Sequence, residues 1–197
     1  MKPFPNRFTP AVAPRRAPQR GVALITVLLL LMVVMLMAVA ALRTANLEER
    51  VAAQVRDRQV AFQMAEAALR DGELMISSDA NGPFMPLRPA LFDANCTDGL
   101  CRSSPGSPRW SSFSEADWAS SKAWAYGAAT GAAVLQGAAS EPRYVVEYQG
   151  TLQPIEPGSP CVAMFLITAR ARGATAVAEV ILQSVYRHRA GDCHAAI

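Results

Sequence analysis

The hydrophobic pattern changes period twice along the chain. From Val22 to Leu42 there is no charge in 21 positions; thirteen are Leu, Ile or Val, three are Met, four are Ala and one is Thr26. As a helix this run is roughly 31 Å long, about one bilayer core. Beyond it, Leu47, Val51, Val55, Phe62, Ala65 and Leu69 recur at helical spacing, and residues 43–70 contain no Gly or Pro. The two segments therefore predict one long helix, weakened at Asp71-Gly72 and ended between Asp79 and Pro83. Residues 79–142 lose all periodicity and are rich in Gly, Pro, Ser, Asn and Ala. Within them Ser114-Glu115-Ala116-Asp117 reads as a capping box, which predicts a short helix near 115–126. Period two then takes over. Tyr144–Gln149 alternates, Val162–Ala169 is continuously apolar, and Val177–Arg187 alternates again. Arg172-Gly173 supplies a turn between the last two. Three antiparallel strands need an apolar partner, and the helical stripe offers one. The expected fold is α+β: a long N-terminal helix, membrane-spanning in its first half and amphipathic in its second, packed on a small antiparallel β-sheet.

Charge gives this layout a direction. The chain carries 19 Lys and Arg against 16 Asp and Glu. Lys2, Arg7, Arg15, Arg16 and Arg20 all precede the apolar run, and no acid accompanies them. Without those five, 14 basic residues face 16 acidic ones, so the body is slightly acidic. A basic leader before a span predicts a cytoplasmic N-terminus and a body on the far side of the cytoplasmic membrane, which for the family resembled below is the inner membrane with the periplasm beyond it. The same balance excludes a nucleic-acid partner, because no basic cluster remains to neutralise phosphates. The domain reading is a Pro-rich, aperiodic basic leader at 1–21, expected to be disordered, and a transmembrane helix at 22–42. An amphipathic continuation follows at 43–78, then a variable loop-rich region at 79–142, and a C-terminal sheet with a disulfide-linked tail at 143–197.

Cys96, Cys101, Cys161 and Cys193 all lie outside the span, an even count that points to two disulfides in an exported domain. Three connectivities are open. Spacing favours Cys96–Cys101 within one turn and Cys161–Cys193 tying the tail to a strand, which chain entropy values at about 2 and about 4 kcal/mol. A metal site is the competing reading, but no C-x-x-C pair is present and only His188 and His194 stand near. Trp110, Trp118 and Trp124 are read either as a contact surface or as a small core under the long loop. No nucleophile elbow, P-loop or G-x-G-x-x-G occurs, so neither catalysis nor a cofactor is expected.

The junction Gln19-Arg20-Gly21-Val22-Ala23-Leu24-Ile25 resembles the class III signal of type IV pilins and pseudopilins. That resemblance implies cleavage between Gly21 and Val22 by prepilin peptidase, with the apolar helix retained. An uncleaved single-span anchor and an ordinary signal peptide cut near Ala38-Val39-Ala40 are the alternatives, though the apolar run exceeds the usual h-region. The segments Leu42–Arg50 and Arg56–Arg70 resemble the N-terminal region of the PilX family of minor pilins. Ile167-Thr168-Ala169-Arg170 and Leu182–Arg187 are similar to the family's C-terminal end. The resemblance covers residues 19–73 and 161–187 and implies a pilin-like fold. It also implies a role in starting or supporting type IV pilus assembly at the tip, and through it twitching motility and adhesion. Implied partners are other minor pilins, the major pilin, prepilin peptidase, a large tip adhesin and inner-membrane lipid. One departure from major pilins matters. Counting from Val22, position five is Thr26 where major pilins carry Glu. A tip-class pseudopilin of a type II secretion system and a membrane-anchored periplasmic adaptor are the competing functions.

Overall fold

The computed structural model describes residues 21–78, 89–152 and 161–189. The basic leader, the Asp79–Pro83 stop and Cys193 lie outside those residues. The chain divides into two compact units, Met1–Glu49 and Arg50–Ile197. In the first, every described residue is helical or helix-flanking and exposed. The helix α1 runs Val22–Ser77, starting directly after Gly21. Asp71-Gly72 does not interrupt it, because both residues are buried and packed.

In the second unit α1 lies on a five-stranded sheet. The strands are β1 (Leu100–Arg102), β2 (Trp124–Ala125), β3 (Arg143–Leu152), β4 (Val162–Arg172) and β5 (Glu179–Arg189), in the order β1-β3-β4-β5, with β2 also on β3. β3, β4 and β5 form the expected antiparallel meander, with a bulge between Tyr148 and Gly150. The sheet is nevertheless mixed, since β1 runs parallel to β3. Leu100-Cys101-Arg102 is too short to show alternation, so pattern reading places it in the loop. The short helix α2 spans Glu115–Ala119, with the Ser114–Asp117 capping box formed in both directions. It stops early because Ser120 turns extended and the chain proceeds to β2.

The face that α1 gives the sheet matches the expected stripe only at its end, where Ala65 is buried and Leu69 packs on the core. Leu47, Val51, Val55 and Phe62 are exposed, while Ala61, Ala65, Ala68, Gly72, Met75 and Ile76 are buried. Small residues win this face because they let the helix backbone approach closely. A Cβ on Gly72 would lie 2.9 Å from Ile167 Cγ2. The core on this side joins Met75, Ile76, Phe92, Tyr144, Val146, Phe165 and Ile167.

The other face of the sheet is also covered. Cys96, Cys101, Trp118, Ala123 and Val145 form a second core, flanked by Trp110 and Phe113. β3 is therefore buried on both sides from Tyr144 to Glu147. Trp118 serves as core here, with the Arg170 guanidinium 5.5 Å from its ring. Glu115 pairs with Arg170 and with Arg172 at 2.7 Å, and Glu179 pairs with both arginines, so the covering loop is fastened to β4 and β5. On the helix side the β4–β5 turn is held by Asp57, whose carboxylate accepts from Thr175 N–H at 3.0 Å and from its hydroxyl. That contact requires Gly173: a Cβ there would lie 2.4 Å from the Asp57 carbonyl oxygen.

Candidate functional site

Gly21 and Val22 sit at the boundary where helix begins. Gly21 is exposed with open space around it, and Val22 is the first helical residue. No acidic side chain occupies the first turn. Thr26 Oγ1 instead donates to the Ala23 carbonyl at 3.0 Å, so its hydroxyl is satisfied within its own helix. From Val22 to Leu42 all side chains are exposed, and α1 is long and apolar enough there to cross a membrane. This is compatible with an inner-membrane anchor. The exposed residues Leu47, Val51, Val55 and Phe62 continue an apolar stripe along α1 beyond the span.

Cys96 and Cys101 are joined in a disulfide that closes the turn before β1. Asp93 braces this turn, accepting from Asn95 N–H at 2.9 Å, Thr97 N–H at 3.0 Å and the Thr97 hydroxyl at 2.6 Å. These bonds favour the ionised form, the Thr97 hydroxyl most, and hold the Asp93 carboxyl below its usual range. Cys161, buried just before β4, is also disulfide-bonded. Cys193 lies outside the described residues.

Two buried carboxylates escaped pattern reading. Asp71 on α1 accepts from Gly127 N–H at 2.8 Å and from the Thr130 hydroxyl, binding the covering loop to the helix. Burial first, then the Asp71 charge, pushes the neighbouring Tyr144 hydroxyl well above its ordinary value, so it stays protonated. Glu147 on β3 accepts from Arg109 N–H at 2.8 Å and clamps the Arg109–Ser112 turn against the outer face. Its second oxygen, Oε2, is buried without a hydrogen-bond partner among the described residues. Each reads in sequence as an ordinary polar position beside a helix or on a strand. Their hydrogen-bond partners come from the covering loop, whose path is not periodic.

Burial pushes the Glu147 carboxyl above its usual range, against the opposing pull of the Arg109 and Trp110 N–H groups. A raised folded-state pKa means the folded form binds the proton more tightly. The associated stability is fully present below the ordinary Glu value and is lost as pH rises through the folded one. Glu147→Gln keeps an acceptor for Arg109 and removes the charge. Wild type should lose melting temperature as pH rises above the ordinary Glu value, and the variant should lose less. Identical pH profiles for the two proteins would refute this account.

Comparison with known proteins then assigns the chain. Searches among curated proteins and among solved structures returned no match. The PilX N-terminal family matches residues 20–70, the anchor and the first part of α1 beyond it. The type IV pilus assembly protein PilX C-terminal family matches residues 95–188, reaching from the disulfide turn to the end of β5 and so into the covering loop. Between them the two matches take in the α1 junction, the exposed stripe, the outer core from Cys96 onward and all of the sheet but Arg189, while Met75, Ile76 and Phe92 of the helix-side core fall between them. The chain belongs to the PilX family of type IV pilus assembly proteins.

Proposed function

We propose that this protein is a minor pilin cut by prepilin peptidase between Gly21 and Val22, inserted once in the inner membrane, and used to start or support pilus assembly at the tip. The observation that carries the reading is α1. Its apolar surface runs unbroken through Val22–Leu42, and Leu47, Val51, Val55 and Phe62 stay exposed after the domain has folded. Apolar side chains left open along a membrane helix are satisfied outside the bilayer only by other helices, which is what a filament core provides. Thr26 supports a rare position over a repeating one. It offers no carboxylate to a neighbouring subunit's N-terminal amine, and its hydroxyl is already spent on Ala23. Twitching motility and adhesion follow as consequences of piliation. The partners are other minor pilins and the major pilin, with a large tip adhesin above them.

Deleting the gene in a strain with intact retraction machinery tests this role. Surface pili counted by electron microscopy should fall sharply while whole-cell major pilin stays constant. Normal piliation would defeat the assembly role and leave the type II secretion pseudopilin or the periplasmic adaptor.

Processing and oxidation are read by one measurement. Intact mass of the protein isolated from the envelope should correspond to a chain beginning at Val22, lighter than its reduced form by the hydrogens of two disulfides. The bonds expected are Cys96–Cys101 and Cys161–Cys193. A mass beginning at Met1 or near Ala41, or four alkylatable thiols in the native protein, would overturn the proposal.

A further inference from the structure

β5 is the last strand of the sheet, and among the described residues it pairs only with β4. Its eleven pairs run without a register shift from Arg172↔Glu179 to Val162↔Arg189. Gly173 N–H donates to the Ala178 carbonyl at 2.8 Å, which makes that couple a hydrogen-bonded pair of the same ladder. Such pairs alternate with non-bonded ones along an antiparallel ladder. The N–H and C=O groups of Ile181, Gln183, Val185, Arg187 and Arg189 therefore point away from β4, along an edge about 30 Å long that is open among the described residues.

Natural sheets guard such edges with Pro, a bulge, a short strand or a charge in mid-strand. β5 has none of these from Val180 to Tyr186, seven residues without charge, Pro or Gly. Val185 is 57% exposed on this edge. The charges at the two ends are not equivalent. Glu179 is already held by Arg170 and Arg172. Arg187 and Arg189 are exposed, and among the described residues neither has an ion-pair partner. The edge thus offers a row of backbone donors and acceptors ending in two exposed guanidinium groups that have no ion-pair partner among the described residues.

We propose that the β5 edge receives an extended segment of a partner protein as a sixth strand, with carboxylates set against Arg187 and Arg189. A second copy of this chain fits poorly. In the symmetric antiparallel register about Ser184, Arg187 faces Ile181 and Arg189 faces Glu179, whose carboxylate is already engaged. The proposal does not depend on the pilus role: it stands on the sheet edge alone, and its failure would leave that role untouched.

The test uses the full chain in detergent micelles and labelled peptides of about nine residues, the length that covers the edge. The peptides alternate Thr and Val and carry two Asp near one end, in both sequence orders, with twins carrying Lys instead. By fluorescence anisotropy, one acidic peptide should bind saturably and at least about tenfold more tightly than its Lys twin. Arg187→Ser with Arg189→Ser should erase that difference. Val185→Pro, which removes an outward N–H and leaves the β4 ladder intact, should abolish binding while circular dichroism still reports a folded protein. A photo-cross-linking residue at Gln183 in the otherwise unaltered chain gives a second readout: it should capture the acidic peptide, whereas the same residue at Gln63 on α1 should not. Absence of saturable binding by any peptide, equal binding of the acidic and Lys twins, or equal capture at Gln183 and Gln63 would each overturn the proposal.

Discussion

Leu30→Arg should strip cells of most surface pili while leaving the protein in the membrane. Leu30 lies near the middle of the 21-residue uncharged run, so the new guanidinium would sit at mid-bilayer. On insertion scales a central Arg costs roughly 2.5–3.5 kcal/mol, whereas the thirteen Leu, Ile and Val contribute roughly −4 to −8 kcal/mol. Insertion therefore survives. What does not survive is helix packing: a charge on the bundle surface has no counter-charge in Val22–Leu42, and an unpaired buried charge costs several kcal/mol. Leu30→Met keeps size and apolarity and should piliate normally. The measurement is pilus counts by electron microscopy, set beside immunoblots of membranes and of sheared pili. Normal piliation by Leu30→Arg would show that the helix takes no part in assembly. Loss of the protein from the membrane would assign the defect to insertion instead.

How much of this was legible follows from which interactions are local. The long helix, the capping box at Ser114 and the three strands of the meander each announce themselves by a period or a fixed offset, and the structure places all of them; the apolar run at the start of α1 forms the helix that a span would need. The face of α1 was misread because hydrophobicity ranks Leu and Phe above Ala and Gly. The helix packs by backbone proximity here, so the sheet takes Ala61, Ala68 and Gly72 beside the expected Ala65, and Leu47, Val51, Val55 and Phe62 stay exposed. The parallel strand β1 and the clamps at Asp71 and Glu147 depend on the path of the covering loop. Nothing periodic encodes that path; it is set by a disulfide, by ion pairs to Glu115 and by single hydrogen bonds between residues up to 59 positions apart. At the α1 junction the residues were legible as a pattern, and the family matches give that pattern its setting.

Gly72→Val should unfold the domain more readily than any surface change on α1. A glycine inside a helix ordinarily costs about 1 kcal/mol relative to Ala, so on propensity alone its replacement should stabilise. Packing reverses the sign. A Cβ at position 72 would lie 2.9 Å from Ile167 Cγ2, and 3.1 and 3.3 Å from Cδ2 and Cε2 of the Tyr144 ring. Both neighbours are fully buried, and Ile167 sits in mid-strand between β3 and β5, so neither yields cheaply. Forced overpacking costs typically 1–3 kcal/mol. Gly72→Ala should therefore come out between neutral and about 2 kcal/mol destabilised, the propensity gain offsetting part of the clash. Val adds two further carbons and a β-branch that α-helices disfavour, and should lower the melting temperature by on the order of 10 °C for a domain of this size. Gln63→Val, exposed on the same helix, carries the β-branch cost without the clash and should move it by no more than about 2 °C. Thermal unfolding followed by circular dichroism separates the two accounts. A Gly72→Val protein that melts with wild type would mean the helix does not press on the sheet at Ile167 and Tyr144. A Gly72→Ala protein clearly more stable than wild type would mean propensity, not contact, governs the position.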